Sequence, residues 1–280
     1  MAQVRKLNEQ EINALETLLK DFSASQVRAI VAGLGKGVDV SAYIDSSFDG
    51  NQISQIVQGL ENGIDVSIYA DSAFNYLQMK EIRRGLAARM DVSIYADPMF
   101  SAERMELIRK CLTVGMDKSI CANPEFSIYQ LKKIYSGFID GLDVSMYADP
   151  RFDLQQMEEI RYGLLVGIDA SIYADPKYGL WQMEEIRKGL ETEIDVSIYA
   201  DTKFDSLQMR MIRYGLEGGL DVAVYADPIF DYRQMYEIYF GLGTGVDVSV
   251  YADPKKSSDQ MKRIRERLEA NAKRNSGKND

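Results

Sequence analysis

The stretch FDLQQMEEIRYGLLVGIDASIYADP, residues 152–176, decides the fold of this chain, because its text returns throughout the sequence. An aromatic residue opens each copy, and consecutive copies begin 26 residues apart without an insertion. A short, fixed period of this kind is the signature of a stacked repeat array. The nine aromatic anchors are Phe22, Phe48, Phe74, Phe100, Phe126, Phe152, Tyr178, Phe204 and Phe230.

Each repeat is predicted to be a long helix followed by a short one. The pattern aromatic, Asp, two residues, Gln and Met is a capping box with a hydrophobic staple, which starts the long helix at Leu154. Counted from the anchor, positions +5, +8 and +12 carry one apolar stripe, the predicted core face. A glycine recurs at +11, where we expect a neighbouring helix to cross closely. Gly167 ends the long helix, and Asp169 caps a short helix that stops before Pro176.

A single repeat buries too little apolar surface to offset its ordering entropy, so the repeats must stack and the ends need polar caps. The sequence therefore predicts an all-α protein, a superhelical α/α solenoid in one elongated domain. We assign 1–21 to an N-terminal capping helix, 22–255 to nine 26-residue repeats, 256–270 to a C-terminal capping helix and 271–280 to a flexible tail.

Composition argues against an enzyme. The chain has no histidine, the commonest general base near neutral pH, and no phosphate-binding glycine loop or nucleophile elbow. We expect no catalytic residues, no cofactor and no metal. No apolar run approaches the length of a membrane span, and the first ten residues lack the apolar segment of a signal peptide, so we expect a cytoplasmic protein without a membrane partner.

The two cysteines occupy packing positions. Cys111 stands at the glycine position of its repeat and Cys121 at the tyrosine position, +21. We therefore favour small buried side chains over a redox or metal pair.

Acidic residues form two ladders that fit the net charge of −10. Their simplest role is to cap the short helix and to shape the turn after it. A regular row of carboxylates could also imitate nucleic-acid phosphates and occupy a basic groove on another protein. The first ladder is Asp39, Asp65, Asp91, Asp117, Asp143, Asp169, Asp195, Asp221 and Asp247, and the second is Asp45, Asp71, Asp97, Asp149, Asp175, Asp201, Asp227 and Asp253.

Basic residues recur at +9. We expect ion pairs on the helix surface with acids three residues earlier, because residues at this spacing are neighbours on a helix. Direct nucleic-acid binding by these arginines is the alternative, and the acidic composition argues against it. The predicted pairs are Glu106 with Arg109, Glu158 with Arg161, and Glu184 with Arg187.

Aromatic residues gather on the face opposite the core stripe, at +2, +3, +6, +9 and +10, where a solvated helix should be polar. The residues are Tyr76, Tyr129, Tyr135, Tyr162, Trp181, Tyr214, Tyr232, Tyr236, Tyr239 and Phe240. They are explained either by partial cover inside a superhelix or by a protein-binding surface strongest in the C-terminal third. Burial in a homodimer is a competing use of the same side chains.

The motifs QMEEIRKGL at 182–190 and DVSIYAD at 195–201 resemble a short helical repeat of uncharacterised proteins from bacterial mobile elements and phages. The resemblance covers nearly the whole chain and transfers no catalytic or cofactor residue. It implies a context in which small acidic proteins bind and block host defence proteins.

The leading hypothesis is therefore a non-enzymatic solenoid that binds one protein through its aromatic face, with inhibition of a host defence protein as its context. The alternatives are an acidic nucleic-acid mimic, a self-associating structural protein and, last, an unrecognised enzyme. Salt separates the first two, because a charge-based interface weakens more steeply as ionic strength rises.

Overall fold

The computed structural model describes residues 9, 12, 20–43 and 45–276, and within them the chain is helical without a β-strand. Successive long helices begin 26 residues apart, which confirms the all-α helical repeat. The long helices are α1 Ala24–Gly35, α2 Gly50–Glu61, α3 Tyr76–Ala87, α4 Ala102–Thr113, α5 Ile128–Ile139, α6 Leu154–Leu165, α7 Leu180–Glu191, α8 Ser206–Glu217, α9 Tyr232–Thr244 and α10 Ser258–Ser276.

A short helix follows each long helix from α2 to α9. The described part of the first repeat has a turn there instead of the predicted helix. Most of the short elements are a single 3-10 turn, and the Asp before each one accepts a hydrogen bond from the amide of its second residue. They are Val66–Ile68, Val92–Ile94, Lys118–Cys121, Val144–Met146, Ala170–Ile172, Val196–Ile198, Val222–Val224 and Val248–Val250, of which Lys118–Cys121 is α-helical.

The capping glutamine at +4 has a second role that the sequence analysis missed. Gln156 Oε1 accepts the amide of Asp153 at 2.8 Å, which completes the predicted capping box. Its Nε2 also donates to the carbonyl of Tyr178, the next anchor, at 2.8 Å. Arg104 replaces this glutamine in α4 and donates to the carbonyl of Phe126 at 2.7 Å. One side chain thus starts its own helix and fastens the following repeat.

The glycine at +11 makes room for a tyrosine of its own repeat, so the predicted helix crossing is wrong. A Cβ on Gly163 would lie 1.9 Å from Tyr173 Oη, and one on Gly189 would lie 2.0 Å from Tyr199 Oη. These tyrosines are wholly buried, and the Tyr199 hydroxyl donates to the carbonyl of Glu185 at 3.0 Å. The arrangement recurs in the seven repeats whose glycines are Gly59, Gly85, Gly137, Gly163, Gly189, Gly215 and Gly241.

The chain divides into two compact units, Met1–Ile128 and Tyr129–Asp280, and the single elongated domain stays a prediction. Consecutive long helices pack side by side from α1 to α4 and from α6 to α10. Because a repeat packs mainly against its neighbours, such an array can divide between any two of them. The predicted N-terminal capping helix lies outside the described residues, apart from 9, 12, 20 and 21. The C-terminal helix α10 runs to Ser276, six residues beyond its predicted end.

The first acidic ladder has the predicted capping role. In a typical repeat, Asp65 accepts hydrogen bonds from the Ser67 amide at 3.0 Å and hydroxyl at 2.6 Å, and the hydroxyl bond is the larger cause of the lowered pKa of Asp65. The same serine contacts lower the pKa values of Asp39, Asp91, Asp117, Asp169 and Asp195.

Stability should consequently fall in acid. A carboxyl with a depressed folded pKa stabilises the fold above its unfolded pKa, about 3.9, and this contribution is lost as pH falls through the folded value. We expect the urea midpoint to hold from pH 7 to 5 and to drop below about pH 4. Alanine occurs naturally at the equivalent position of another repeat, as Ala223. Replacing Ser67, Ser93 and Ser197 with alanine should therefore make the fall of the urea midpoint with decreasing pH less steep. An unchanged acid slope in this variant would contradict the hydroxyl's role.

Candidate protein-binding surface

The predicted aromatic face is exposed at some of its positions and covered at others. Tyr129 and Trp181, both at +3, are the most exposed of its aromatic residues, at 64% and 61%. The rings at +6 and +10, together with Tyr76 at +2, are also exposed, whereas Tyr232, Tyr135 and Tyr239 are half-buried. The exposed rings at +6 and +10 are Tyr162, Tyr214, Tyr236 and Phe240.

Position +9 faces the preceding repeat, which corrects the prediction that it belongs to the exposed face. The Arg213 side chain keeps only 8% of its surface, and its Nε donates to Glu185, 28 residues earlier, at 2.9 Å. A helical wheel describes an isolated helix, whereas stacking covers both flanks of each helix in an array. Tyr239 is half-buried for the same reason.

The +9 arginines therefore join repeats, and two of the three predicted ion pairs are wrong. Arg109 Nε lies 2.9 Å from Glu81, in the preceding repeat, and Arg187 pairs with Glu159 and Glu191. Only Arg161 contacts the predicted acid, Glu158 at 3.3 Å, and it also bonds to Asp140 at 2.6 Å. The acids expected to pair with the other two arginines bond instead to lysines four residues later, as Glu106 does to Lys110 and Glu184 to Lys188.

The densest aromatic cluster lies on α9. The ring centroids of Tyr236 and Phe240 are 4.6 Å apart, and those of Tyr239 and Phe240 are 5.5 Å apart in an edge-to-face arrangement. The guanidinium of Arg265, on α10, lies 5.6 Å from the Phe240 ring. The structure thus brings Tyr236, Tyr239 and Phe240 together. Tyr232, also predicted for this cluster, instead accepts a hydrogen bond from Arg233 Nε at 3.1 Å.

Arginines hold the other rings at +10. The guanidinium of Arg187 lies 4.6 Å from the Tyr162 ring centroid, although the two residues belong to adjacent repeats. Arg213 lies at the same distance from the ring of its neighbour Tyr214. Each arginine is itself fixed by carboxylates, so the rings rest on charged groups that have little freedom. Ordered rings lose less entropy when a partner covers them.

A groove of 370 Å³ lies between α5 and α6, in the second unit. Tyr129 and Leu154 supply its apolar wall, and Lys132 lies 5.8 Å from the Tyr129 ring. Glu158, one turn after Leu154 on α6, bonds to Lys133 and to Arg161. The groove joins an exposed ring to a mixed set of charges, a composition typical of the rim of a protein interface.

The sequence analysis missed the aliphatic residues that extend the aromatic face. In the second unit Leu154, Leu165 and Leu207 are 38–51% exposed at +2, +13 and +3 of their helices. The signal was present in the sequence, because +2, +3 and +13 lie opposite the core stripe on a helical wheel. Position +20 of the short helices also carries exposed aliphatic residues, which are Ile68 in the first unit and Ile172, Ile198 and Val250 in the second.

The predicted aromatic surface is unevenly divided between the units. Tyr76 alone of the ten predicted aromatic residues belongs to the first unit, and the other nine belong to the second. Because equivalent positions on packed neighbouring helices form rows, Tyr162, Tyr214 and Phe240 lie in one row on α6, α8 and α9. The second unit therefore offers the larger apolar surface.

The described residues contain no group of three or more Cys, Asp or Glu side chains placed to hold a metal ion. Within the same ranges, no helix has the length and apolar content that crossing a membrane requires. Comparison of the chain with protein-family models, curated proteins and solved structures finds no match.

Proposed function

We propose that this chain is a non-enzymatic binding scaffold that takes a protein partner on the aromatic face of its second unit. The observation that carries the proposal is the α9 cluster, in which Tyr236 and Phe240 stay 44% and 38% exposed while contacting each other. Clustered exposed aromatics on a well-packed surface are the typical anchors of protein interfaces. On the resemblance described above, a host defence protein in the cytoplasm is the first partner class to test.

The scaffold suits this use because its binding side chains are separate from its packing side chains. Met235 and Ile238, on the same helix, are wholly buried and hold α9 in the array. The exposed positions can differ between repeats without disturbing that core. Position +10, for example, is Lys188 in one repeat and Tyr214 in the next. Binding then depends on a few large rings.

Removing these rings should weaken binding without unfolding the chain. We expect the variant Tyr236→Ala/Phe240→Ala to raise the dissociation constant about tenfold or more, and Trp181→Ala to add to the loss. The measurement is capture from nuclease-treated host lysate followed by titration of the purified partner, with helicity checked by circular dichroism. Met99→Ala is the matched control, because Met99 is 89% exposed but lies outside the aromatic face.

Unchanged affinity in the aromatic variants would contradict this use of the surface. Sedimentation of the wild-type chain and the Tyr236→Ala/Phe240→Ala variant tests the competing use in a homodimer. A concentration-dependent dimer that the variant abolishes would assign the face to self-association instead.

An acidic nucleic-acid mimic is the second candidate. It is favoured by the first ladder, whose nine aspartates are exposed. Capping engages one carboxylate oxygen, as for Asp195, whose Oδ1 accepts both hydrogen bonds from Ser197. The affinity of a mimic for its partner should fall steeply as the salt concentration rises. Asp→Asn changes in the first ladder, which remove the negative charge, should weaken the binding of a mimic further. Binding that persists in high salt favours the aromatic face.

A further inference from the structure

Arg83 differs from the other arginines at +9, because it has no carboxylate partner. Four of the others bond to a glutamate at +7 of the preceding repeat, and Arg161 bonds to Asp140 and Glu158. The residue at +7 before Arg83 is the neutral Gln55, whose Oε1 accepts a hydrogen bond from Arg83 Nε at 3.2 Å. The four glutamate pairs are Glu81 with Arg109, Glu159 with Arg187, Glu185 with Arg213, and Glu237 with Arg265.

A second carboxylate that later repeats supply is also missing at Arg83. In those repeats a glutamate at +13 bonds to Nη1 of the +9 arginine, as Glu217 does to Arg213 at 2.6 Å. Glu191 and Glu269 bond in the same way to their own arginines. The repeat of Arg83 has Ala87 at +13. Within the described ranges, Arg83 consequently makes one hydrogen bond, to Gln55, and no ion pair.

The missing carboxylates leave a cavity of 620 Å³ in the first unit, lined by both Arg83 and Ala87. Because the equivalent glutamates reach Nη1 of their arginines, the space beside Ala87 corresponds to the space that a +13 carboxylate fills in later repeats. Arg89 brings a second guanidinium to the lining. Asp65 is the acid in the lining, and its Oδ1 already accepts two hydrogen bonds from Ser67. Positive charge therefore exceeds negative charge around the cavity.

We propose that Arg83 and Arg89 bind a carboxylate group of a second molecule in the place of the missing glutamate. Gln55 holds the Arg83 guanidinium at Nε, which leaves the two Nη atoms to donate to the ligand. The planar fork of an arginine matches the two oxygens of a carboxylate. A carboxylate suits the cavity better than a doubly charged phosphate, because Asp65 repels the larger charge more strongly.

This chemistry is shared by a glutamate or aspartate side chain of another polypeptide and by a free carboxylic acid. The test titrates the full chain at constant pH and ionic strength and follows the Nε–H signals of its arginines by NMR. The two probes are free glutarate and an end-blocked tripeptide with a central glutamate. We expect the Arg83 signal, identified by its loss in Arg83→Gln, to shift with a dissociation constant in the millimolar range. The same tripeptide with a central glutamine should leave it unshifted.

The tighter of the two probes identifies the source of the carboxylate. Stronger binding of the tripeptide assigns the site to a side chain of another polypeptide, and stronger binding of glutarate assigns it to a free acid. Either result supports the proposal. An Arg83 signal that neither probe shifts would overturn it.

Variants that return the missing glutamate should close the site. Gln55→Glu and Ala87→Glu each place a carboxylate where other repeats have one, so we expect each to weaken probe binding about tenfold or more. Neither should lower the urea midpoint, because the new carboxylate pairs with Arg83. Arg84→Gln is the matched control, because Arg84 is exposed on α3 and lies outside the cavity lining.

The control removes the same charge as Arg83→Gln and should bind both probes as the wild type does. Equal affinities for the wild type and Gln55→Glu would overturn the proposal. An equal loss of binding in Arg84→Gln and Arg83→Gln would also overturn it, because general attraction to positive charge would then explain the binding.

Discussion

Replacing Gly215 with alanine is expected to lower the free energy of unfolding by about 2–3 kcal/mol, although alanine is the better helix former. A Cβ at this position would lie 2.0 Å from Tyr225 Oη and 2.6 Å from Val222 Cγ1. The hydroxyl cannot move freely, because it donates to the carbonyl of Met211 at 3.0 Å and the tyrosine is wholly buried. Either α8 or the following short helix must therefore shift.

The urea midpoint of Gly215→Ala, compared with that of the wild-type chain, measures this loss. Gly243→Ala is the matched control, because Gly243 is also helical and a Cβ there meets nothing within 4 Å. It should leave stability unchanged or raise it by up to about 1 kcal/mol. Tyr225→Phe should recover part of the loss in the Gly215→Ala background by removing the clashing oxygen. Equal midpoints for the two glycine variants would contradict the close contact.

Replacing Glu185 with alanine is expected to cost about 3 kcal/mol, because it leaves a buried cation without its main partner. The Glu185 side chain is wholly buried and bonds to Arg210 at 2.8 Å and to Arg213 at 2.9 Å. Arg213 retains Glu217 at 2.6 Å, which keeps the cost at the lower end of the range for broken buried pairs.

The chain itself supplies the rescue for this variant. Met211 and Tyr239 occupy, one repeat later, the positions that Glu185 and Arg213 occupy. Glu185→Met/Arg213→Tyr should therefore restore most of the lost stability, because it removes both charges and fills the space with apolar groups. Urea unfolding of the wild type, both single variants and the double variant gives the coupling energy. If the stability lost in the double variant equals the sum of the losses in the two single variants, Glu185 and Arg213 contribute independently and the expected rescue is contradicted.

Much of the fold was predictable because each repeat carries local signals. The capping box at Asp153 and Gln156 and the period of the anchors placed each long helix within a residue of its observed start. The apolar stripe placed +5 and +8 correctly in the core, as Met157 and Ile160 show, although Leu164 at +12 is only half-buried. These features depend on residues within one helix, where sequence spacing determines geometry.

Contacts between elements could not be read in the same way. The close approach of Gly163 and Tyr173 and the pairing of Arg213 with Glu185 depend on how separate helices stack. The sequence did carry one signal of the contact between positions +11 and +21. Glycine at +11 and tyrosine at +21 both give way to cysteine in the fourth repeat, at Cys111 and Cys121, and such a joint change indicates contact. The exposure of the aromatic residues was predicted correctly at +3, +6 and +10 and wrongly at +9, because stacking covers that flank.

Hydroxyl-radical footprinting of the chain, alone and with its captured partner, is the most direct test of the aromatic binding face. Oxidation of each side chain is read by mass spectrometry. If the second unit binds through its aromatic face, the partner should protect Trp181, Tyr236 and Phe240, while Met99 should oxidise as in the free chain. Full oxidation of the three aromatics in a saturated complex, or protection centred on Met99, would contradict it.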